Sequence, residues 1–208
     1  MKIHPPSVYI VDDDEAVRHS VRFLIRSVGL PAQVYASAQE FLAAYDRRDP
    51  GCLLLDVRMP GMSGLDLQQE LNRRGATIPV VFITGHGDVP MAVEAMQQGA
   101  FDFLQKPFRD QDLLDRVQRA LARDAESRAR LAARAEIRAR LATLTPRETE
   151  VMQLITRGKA NKVVGAELGV SQRTVEIHRA HVMEKMRANS LAELVRMVLD
   201  SADSTQNP

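Results

Sequence analysis

Hydrophobic positions follow two regimes along the chain. Up to about residue 107, short apolar runs alternate with amphipathic stretches. Residues 8–11, 53–55 and 80–83 are nearly continuous runs, and 33–36 and 101–104 are weaker ones. Runs of that length suit strands of a parallel sheet whose two faces are both covered by helices. The stretches 14–27, 37–45, 63–73 and 89–98 between them carry helical spacing, and several stop at a glycine such as Gly29, Gly75 or Gly99. The order reads strand then helix five times over, the pattern of an open α/β sheet.

From residue 108 neither Gly nor Pro occurs until Pro146, and residues 121–142 are dominated by Ala, Arg and Leu, all strong helix formers. This predicts one long helix, supported by acid-before-base pairs at Asp124 and Arg128, Glu126 and Arg130, and Glu136 and Arg140. The best coiled-coil seam, through Leu114, Val117, Leu121 and Leu131, is interrupted at Asp124 and Arg128. A solvated helical linker is therefore expected over 123–142. A second domain begins at Thr145-Pro146-Arg147-Glu148, which supplies an N-cap, a proline at the first helical position and a capping-box glutamate. Three more helices follow, over about 161–168, 171–186 and 191–199, the first two separated by the tight turn Gly169-Val170 of a helix-turn-helix. The polar residues 201–208 read as a disordered tail. The expected domains are 1–122, a linker over 123–142, and 143–200.

Composition narrows the class. Of 208 residues 45% are hydrophobic and 26% charged, as in a globular chain with a packed core. Cys52 is the only cysteine, so neither an intrachain disulfide nor a cysteine-based metal site can form. No apolar run approaches the roughly 18 residues that span a bilayer, and the start lacks the long apolar region of a signal peptide. A soluble, cytoplasmic protein without membrane association is expected. The formal net charge of +1 hides an asymmetry. Residues 1–122 carry 13 basic against 16 acidic side chains, 123–140 carry 6 against 3, and 141–200 carry 9 against 7. The basic excess lies where phosphates would be met.

The chemistry sits where the strands end. The first strand runs into Asp12-Asp13, the third into Asp56, the fourth into Thr84 and the fifth into Lys106-Pro107. In a sheet ordered 2-1-3-4-5 the first and third strands are neighbours, so three carboxylates converge on the rim where open α/β sheets bind ligands. Like charges so placed resist ionising unless a cation compensates them, and a hard divalent ion such as Mg²⁺ suits carboxylates, a carbonyl and waters. A carboxylate beside Mg²⁺ and a lysine can attack phosphorus, and Asp56 on the central strand is the candidate nucleophile. In the second domain, Ser171 caps a helix with Val175, Val182 and Met186 on one face. Its other face offers Arg173, Thr174, Glu176, Arg179 and Lys185 to a major groove. The three cations would meet phosphate or guanine, Glu176 could accept from cytosine, and Ile177 could touch thymine methyls.

These segments resemble a known family. YIVDDDEAVR, LLLDVRMPGMSGLDL and FITGHGDVPMAVEAMQQGAFDFLQKPF are similar to the receiver domain of two-component response regulators, and GKANKVVGAELGVSQRTVEIHRAHVMEKM to the LuxR-type helix-turn-helix. The third segment most resembles the FixJ subfamily. The resemblance implies a flavodoxin-like α/β receiver with a five-stranded parallel sheet in the order 2-1-3-4-5. A long helical linker would join it to an all-α four-helix DNA-binding domain. It implies that Asp56 accepts a phosphoryl group from a sensor histidine kinase. Asp13, Asp56 and the Arg58 carbonyl would bind Mg²⁺, with Asp12 assisting through water. Thr84 and Lys106 would hold phosphoryl oxygens, Phe103 would be the aromatic switch residue, and Lys106-Pro107 would be cis. Glu176 stands where many relatives carry a basic residue, so base preference is not transferred. The implied protein is a transcription factor, not an enzyme, that dimerises on phosphorylation and works with promoter DNA and RNA polymerase. Two readings compete. A phosphatase of the haloacid dehalogenase type needs a second aspartate where Arg58 stands; a phosphate sink or docking module would use the helices only as scaffold.

Overall fold

The computed structural model of the chain describes residues 5–85 and 89–202, which form two compact units dividing between Arg128 and Ala129. In the first unit β1 (Ser7–Val11), β2 (Ala32–Tyr35), β3 (Gly51–Asp56), β4 (Val80–Thr84) and β5 (Asp102–Gln105) make one parallel sheet in the order β2-β1-β3-β4-β5. Alternate residues of each strand point to opposite faces. Tyr9, Val11, Leu53, Leu55 and Phe82 enter one apolar core under α2 (Ala38–Ala44), α3 (Gly64–Arg73) and α4 (Val89–Gln97). Val8, Ile10, Leu54, Val81 and Ile83 enter a second core under α1 (Glu15–Ser27) and the first turns of α5 (Asp110–Leu141). Both faces are buried, which is why the strands read as unbroken apolar runs.

The expected order and strand number hold, with ends displaced by one or two residues. β3 starts at Gly51, ahead of the apolar run, because Ser7 and Val8 of β1 pair with Gly51 and Cys52. A Cβ at Gly51 would stand 2.0 Å from the Ser7 carbonyl oxygen, so only glycine lets the strands approach this closely. The helices begin one residue later than their polar signals because those residues are caps: Asp14, Ser37 and Ser63 accept from the first-turn amides of α1, α2 and α3.

The segment expected as a solvated linker is helical, and its two ends are drawn into the flanking units. Val117 and Ala120 of α5 are buried against the sheet, with Leu114 and Leu121 packed beside them, so three of the four seam positions considered for a coiled coil are spent on the first unit, and Leu131 is exposed. Asp124 is buried and accepts from the Gly51 amide at 2.9 Å. Arg128 bonds the same carboxylate at 2.7 Å and donates to the carbonyls of Arg48 at 2.8 Å and Asp49 at 2.5 Å. A guanidinium has the planar fork for this.

The second unit packs Ile137 and Leu141 of α5 with α6 (Pro146–Thr156), α7 (Asn161–Leu168), α8 (Gln172–Met186) and α9 (Leu191–Ala202) around Val151, Ile155, Val164, Val175, Val182 and Leu194. Thr145 and Glu148 form the expected capping box on α6. Gly169 closes α7 at φ 66°, a left-handed position that favours glycine. Of the expected tail, Ser201 and Ala202 belong to α9, with the Ser201 hydroxyl donating to the Val198 carbonyl at 2.7 Å, and 203–208 lie outside the described residues. Among the described residues no helix is long and apolar enough to cross a membrane.

Glu148 is buried, and Lys185 of α8 donates to it at 2.6 Å. The hydrogen bond from Lys185, then that of the Thr145 amide, hold its carboxyl at about 2. Stability from this group is therefore full above the ordinary carboxyl range near 4.5 and drains as pH falls toward 2. Hydrogen exchange of α6 and α8 amides should show Glu148→Gln weakening this unit most at neutral pH, the gap to wild type closing on acidification; a pH-independent gap would contradict the assignment. In the first unit, Arg128→Met leaves the Asp124 charge buried without a cation, at an expected cost of about 3–5 kcal/mol. Denaturant unfolding followed by tyrosine fluorescence isolates that unit, since Tyr9, Tyr35 and Tyr45 all lie in it; a loss below about 1 kcal/mol, the scale of an exposed ion pair, would contradict the clamp.

Candidate functional site

Four strand ends meet at the C-terminal rim of the sheet. Asp12 follows β1, Asp56 and Thr84 are the last residues of β3 and β4, and Lys106 follows β5. Asp12, Asp56 and Thr84 are buried at 4%, 8% and 1% exposure. The Lys106 ammonium bridges the two acids, 2.7 Å from Asp12 Oδ2 and 3.1 Å from Asp56 Oδ1. The Lys106 amide donates to the Thr84 carbonyl at 2.8 Å, and the Lys106-Pro107 peptide is cis, as the resemblance implied. The second Asp56 oxygen accepts from the Arg58 amide at 2.7 Å.

The electrostatics follow from crowding. Burial pushes the Asp56 carboxyl up from its ordinary value, against the pull of Lys106, and the Asp12 charge adds to the rise. Burial opposes the Lys106 charge, yet the Asp12 and Asp56 carboxylates outweigh it and raise its pKa. The two acid side chains thus share one ammonium, and added positive charge beside them favours their ionised forms.

Asp13 is exposed, and among the described residues no three His, Cys, Asp or Glu side chains are gathered closely enough to hold a metal. The donor chemistry nonetheless fits Mg²⁺. Asp12 and Asp56 already converge on a shared cation, the Arg58 carbonyl belongs to the turn after β3, and Mg²⁺ keeps several of its own waters. Phe103 of β5 sits in register with Phe82, half-buried against the core shared with Met91 of α4. Residues 86–88 of the quoted third segment lie outside the described residues.

Two rim residues escaped the sequence reading. Arg18 of α1 donates from Nη1 to the Asp12 carbonyl at 2.6 Å. Its signal is its place one turn inside α1, six residues after Asp12. Gly64 starts α3 so close to the nucleophile candidate that a Cβ would lie 2.2 Å from the Asp56 carbonyl oxygen. Its signal is a glycine directly after the capping Ser63.

On α8 the expected stripe of Val175, Val182 and Met186 is buried, and the polar residues divide. Arg173 is exposed and lies 3.5 Å from Glu176, and Ile177 is 46% exposed. The Thr174 hydroxyl meets that of Ser171 at 2.8 Å, and Arg179 donates to Asn161 at 3.2 Å. Lys185 remains partly exposed, with its ammonium held by Glu148 and, at 3.3 Å, by the Thr143 carbonyl. A buried carboxylate at the start of α6 claims the nearest cation.

Comparison with known proteins agrees with both units. Residues 8–118 match the response regulator receiver domain, and 142–198 match the bacterial regulatory proteins of the luxR family. The transcriptional regulatory protein FixJ of Azorhizobium caulinodans is 52% identical over 192 residues, covering 92% of this chain and 91% of that protein. Nodulation protein W of Bradyrhizobium diazoefficiens is 52% identical over 190 residues, covering 91% of this chain and 84% of that protein. A low-resolution structure of the response regulator StyR superposes with a TM-score of 0.86 at 44% identity, covering 94% of this chain and 99% of that one. The chain belongs to the two-component response regulators of the FixJ subfamily, transcription factors in which a receiver domain precedes a LuxR-type DNA-binding domain.

Proposed function

We propose that Asp56 accepts a phosphoryl group from a sensor histidine kinase in the presence of Mg²⁺, and that this promotes dimerisation and sequence-specific binding to double-stranded promoter DNA. The observation that carries the reading is the single Lys106 ammonium shared by the buried Asp12 and Asp56 at the sheet rim. The receiver would span 1–122 and the DNA-binding domain 143–200, in a cytoplasmic protein acting with RNA polymerase.

In the transfer, an Asp56 carboxylate oxygen forms a bond to phosphorus as the P–N bond of the kinase's phosphohistidine breaks, the electron pair returning to the imidazole nitrogen. Asp12, Asp13, Asp56 and the Arg58 carbonyl are the donors that would hold Mg²⁺, which supplies positive charge for the phosphoryl oxygens when bound. Lys106 donates to a second oxygen, and the Thr84 hydroxyl reaches a third by moving inward. Burial of Asp56 keeps water away from the attacking oxygen. The movement of Thr84 leaves space for the half-buried Phe103, whose inward turn repacks the face formed by α4 and β5, the proposed dimer surface.

On the DNA side, Arg173, Thr174, Glu176, Ile177 and Arg179 form the proposed reading face. Lys185 contributes by holding α8 to the start of α6. Two copies on adjacent half-sites multiply a weak single-domain affinity through effective concentration.

The test is a gel shift on DNA recovered by footprinting genomic fragments. Acetyl phosphate with Mg²⁺ should tighten binding of the wild-type chain by about 10-fold or more and leave Asp56→Asn at its basal affinity. Equal affinity with and without the phosphodonor would overturn the switch.

A further inference from the structure

Asp12 is held at three atoms by three parts of the receiver. Its Oδ2 accepts from Lys106 at 2.7 Å, its Oδ1 from the Asp14 amide at 2.9 Å, and its carbonyl oxygen from Arg18 Nη1 at 2.6 Å. Lys106 comes from the far end of the sheet, 94 residues away, whereas Arg18 reaches Asp12 from the neighbouring helix, six residues on. The pairing of β1 with β2 and β3 ends at Val11, so the Asp12 carbonyl lies beyond the ladder. Arg18 reaches it from inside α1, whose start is fixed by Asp14 accepting from the Ala16 amide at 2.8 Å.

The charge of Arg18 and its hydrogen bond pull in opposite directions. A guanidinium beside a divalent cation repels it, so as a charge Arg18 weakens a Mg²⁺ site. As a donor to the Asp12 carbonyl it orients the peptide joining Asp12 to Asp13, and with it the stance of both carboxylates. Partners that orient metal ligands in this way weigh heavily on affinity.

We propose that Arg18 is a positioning residue of the phosphoryl-accepting rim: its hold on the Asp12 carbonyl sets the Asp12-Asp13 peptide and thereby the carboxylates that take Mg²⁺. This rests on the reading of Asp56 as phosphoacceptor.

The test uses the full chain as wild type, Arg18→Met and Arg18→Lys. Mg²⁺ binding is measured by calorimetry, acetyl-phosphate labelling is followed as a function of Mg²⁺, and folding is checked by tyrosine fluorescence. Arg18→Met should weaken Mg²⁺ about 10-fold and raise the Mg²⁺ needed for half-maximal labelling by the same factor, with the rate at saturating Mg²⁺ near wild type. Arg18→Lys should recover most of the affinity, because an ammonium on a stem of similar reach donates to the same carbonyl. Unchanged or tighter Mg²⁺ binding in Arg18→Met would overturn the inference, as would an Arg18→Lys variant no better than Arg18→Met, or a loss of melting temperature alone. A wild-type chain that neither binds Mg²⁺ nor takes the label would overturn the underlying reading and the inference with it; a competent wild type matched by Arg18→Met would overturn the inference alone.

Discussion

Asp12 and Asp56 face a single ammonium at the C-terminal rim of the sheet, and most of the first unit serves to bring those three groups together. Each comes from a different strand end, so none is positioned without the β1-β3, β3-β4 and β4-β5 neighbour relations of a parallel sheet. Burial of the acids raises the cost of their charge, and one lysine compensates two carboxylates. The two carboxylates thereby share one ammonium between them. Under the proposed function a divalent cation and a phosphoryl group enter this site, and the surrounding hydroxyl and aromatic groups would rearrange to meet them.

Much of this was readable without coordinates, for an identifiable reason. Strands buried on both faces must be apolar throughout, so 8–11, 53–55 and 80–83 declare themselves, and the polar residues that end them stand out as chemistry. Strand ends were less readable because pairing rather than polarity sets them. Gly51 belongs to β3 on account of Ser7 across the ladder, which no local pattern reports. The capped starts of α1, α2 and α3 were visible as Asp14, Ser37 and Ser63, one residue outside the helices they begin.

The residues that resisted reading are those whose partners lie far along the chain. Arg128 looks like a surface partner of Asp124 one turn away, and that pair exists, but the guanidinium also closes on the carbonyls of Arg48 and Asp49 about 80 residues earlier. Lys185 looks like a groove contact because it is basic and sits on the polar side of α8. The capping-box glutamate that claims it is 37 residues distant and became buried only when α6 and α8 packed. Arg18 was passed over for the opposite reason: a helical arginine is ordinarily solvated, and its reach to the end of β1 is visible only once α1 is docked. Local pattern names the charged groups; the fold decides which of them are spent on holding it.

The account stands or falls on a covalent bond at Asp56. The most direct measurement is mass spectrometry of the full chain after incubation with acetyl phosphate and Mg²⁺, with the modified peptide mapped. The account predicts one added phosphate, located on the peptide containing Asp56, released by mild alkali and absent from Asp56→Asn. An unmodified chain, or a phosphate that maps to another residue, would contradict it.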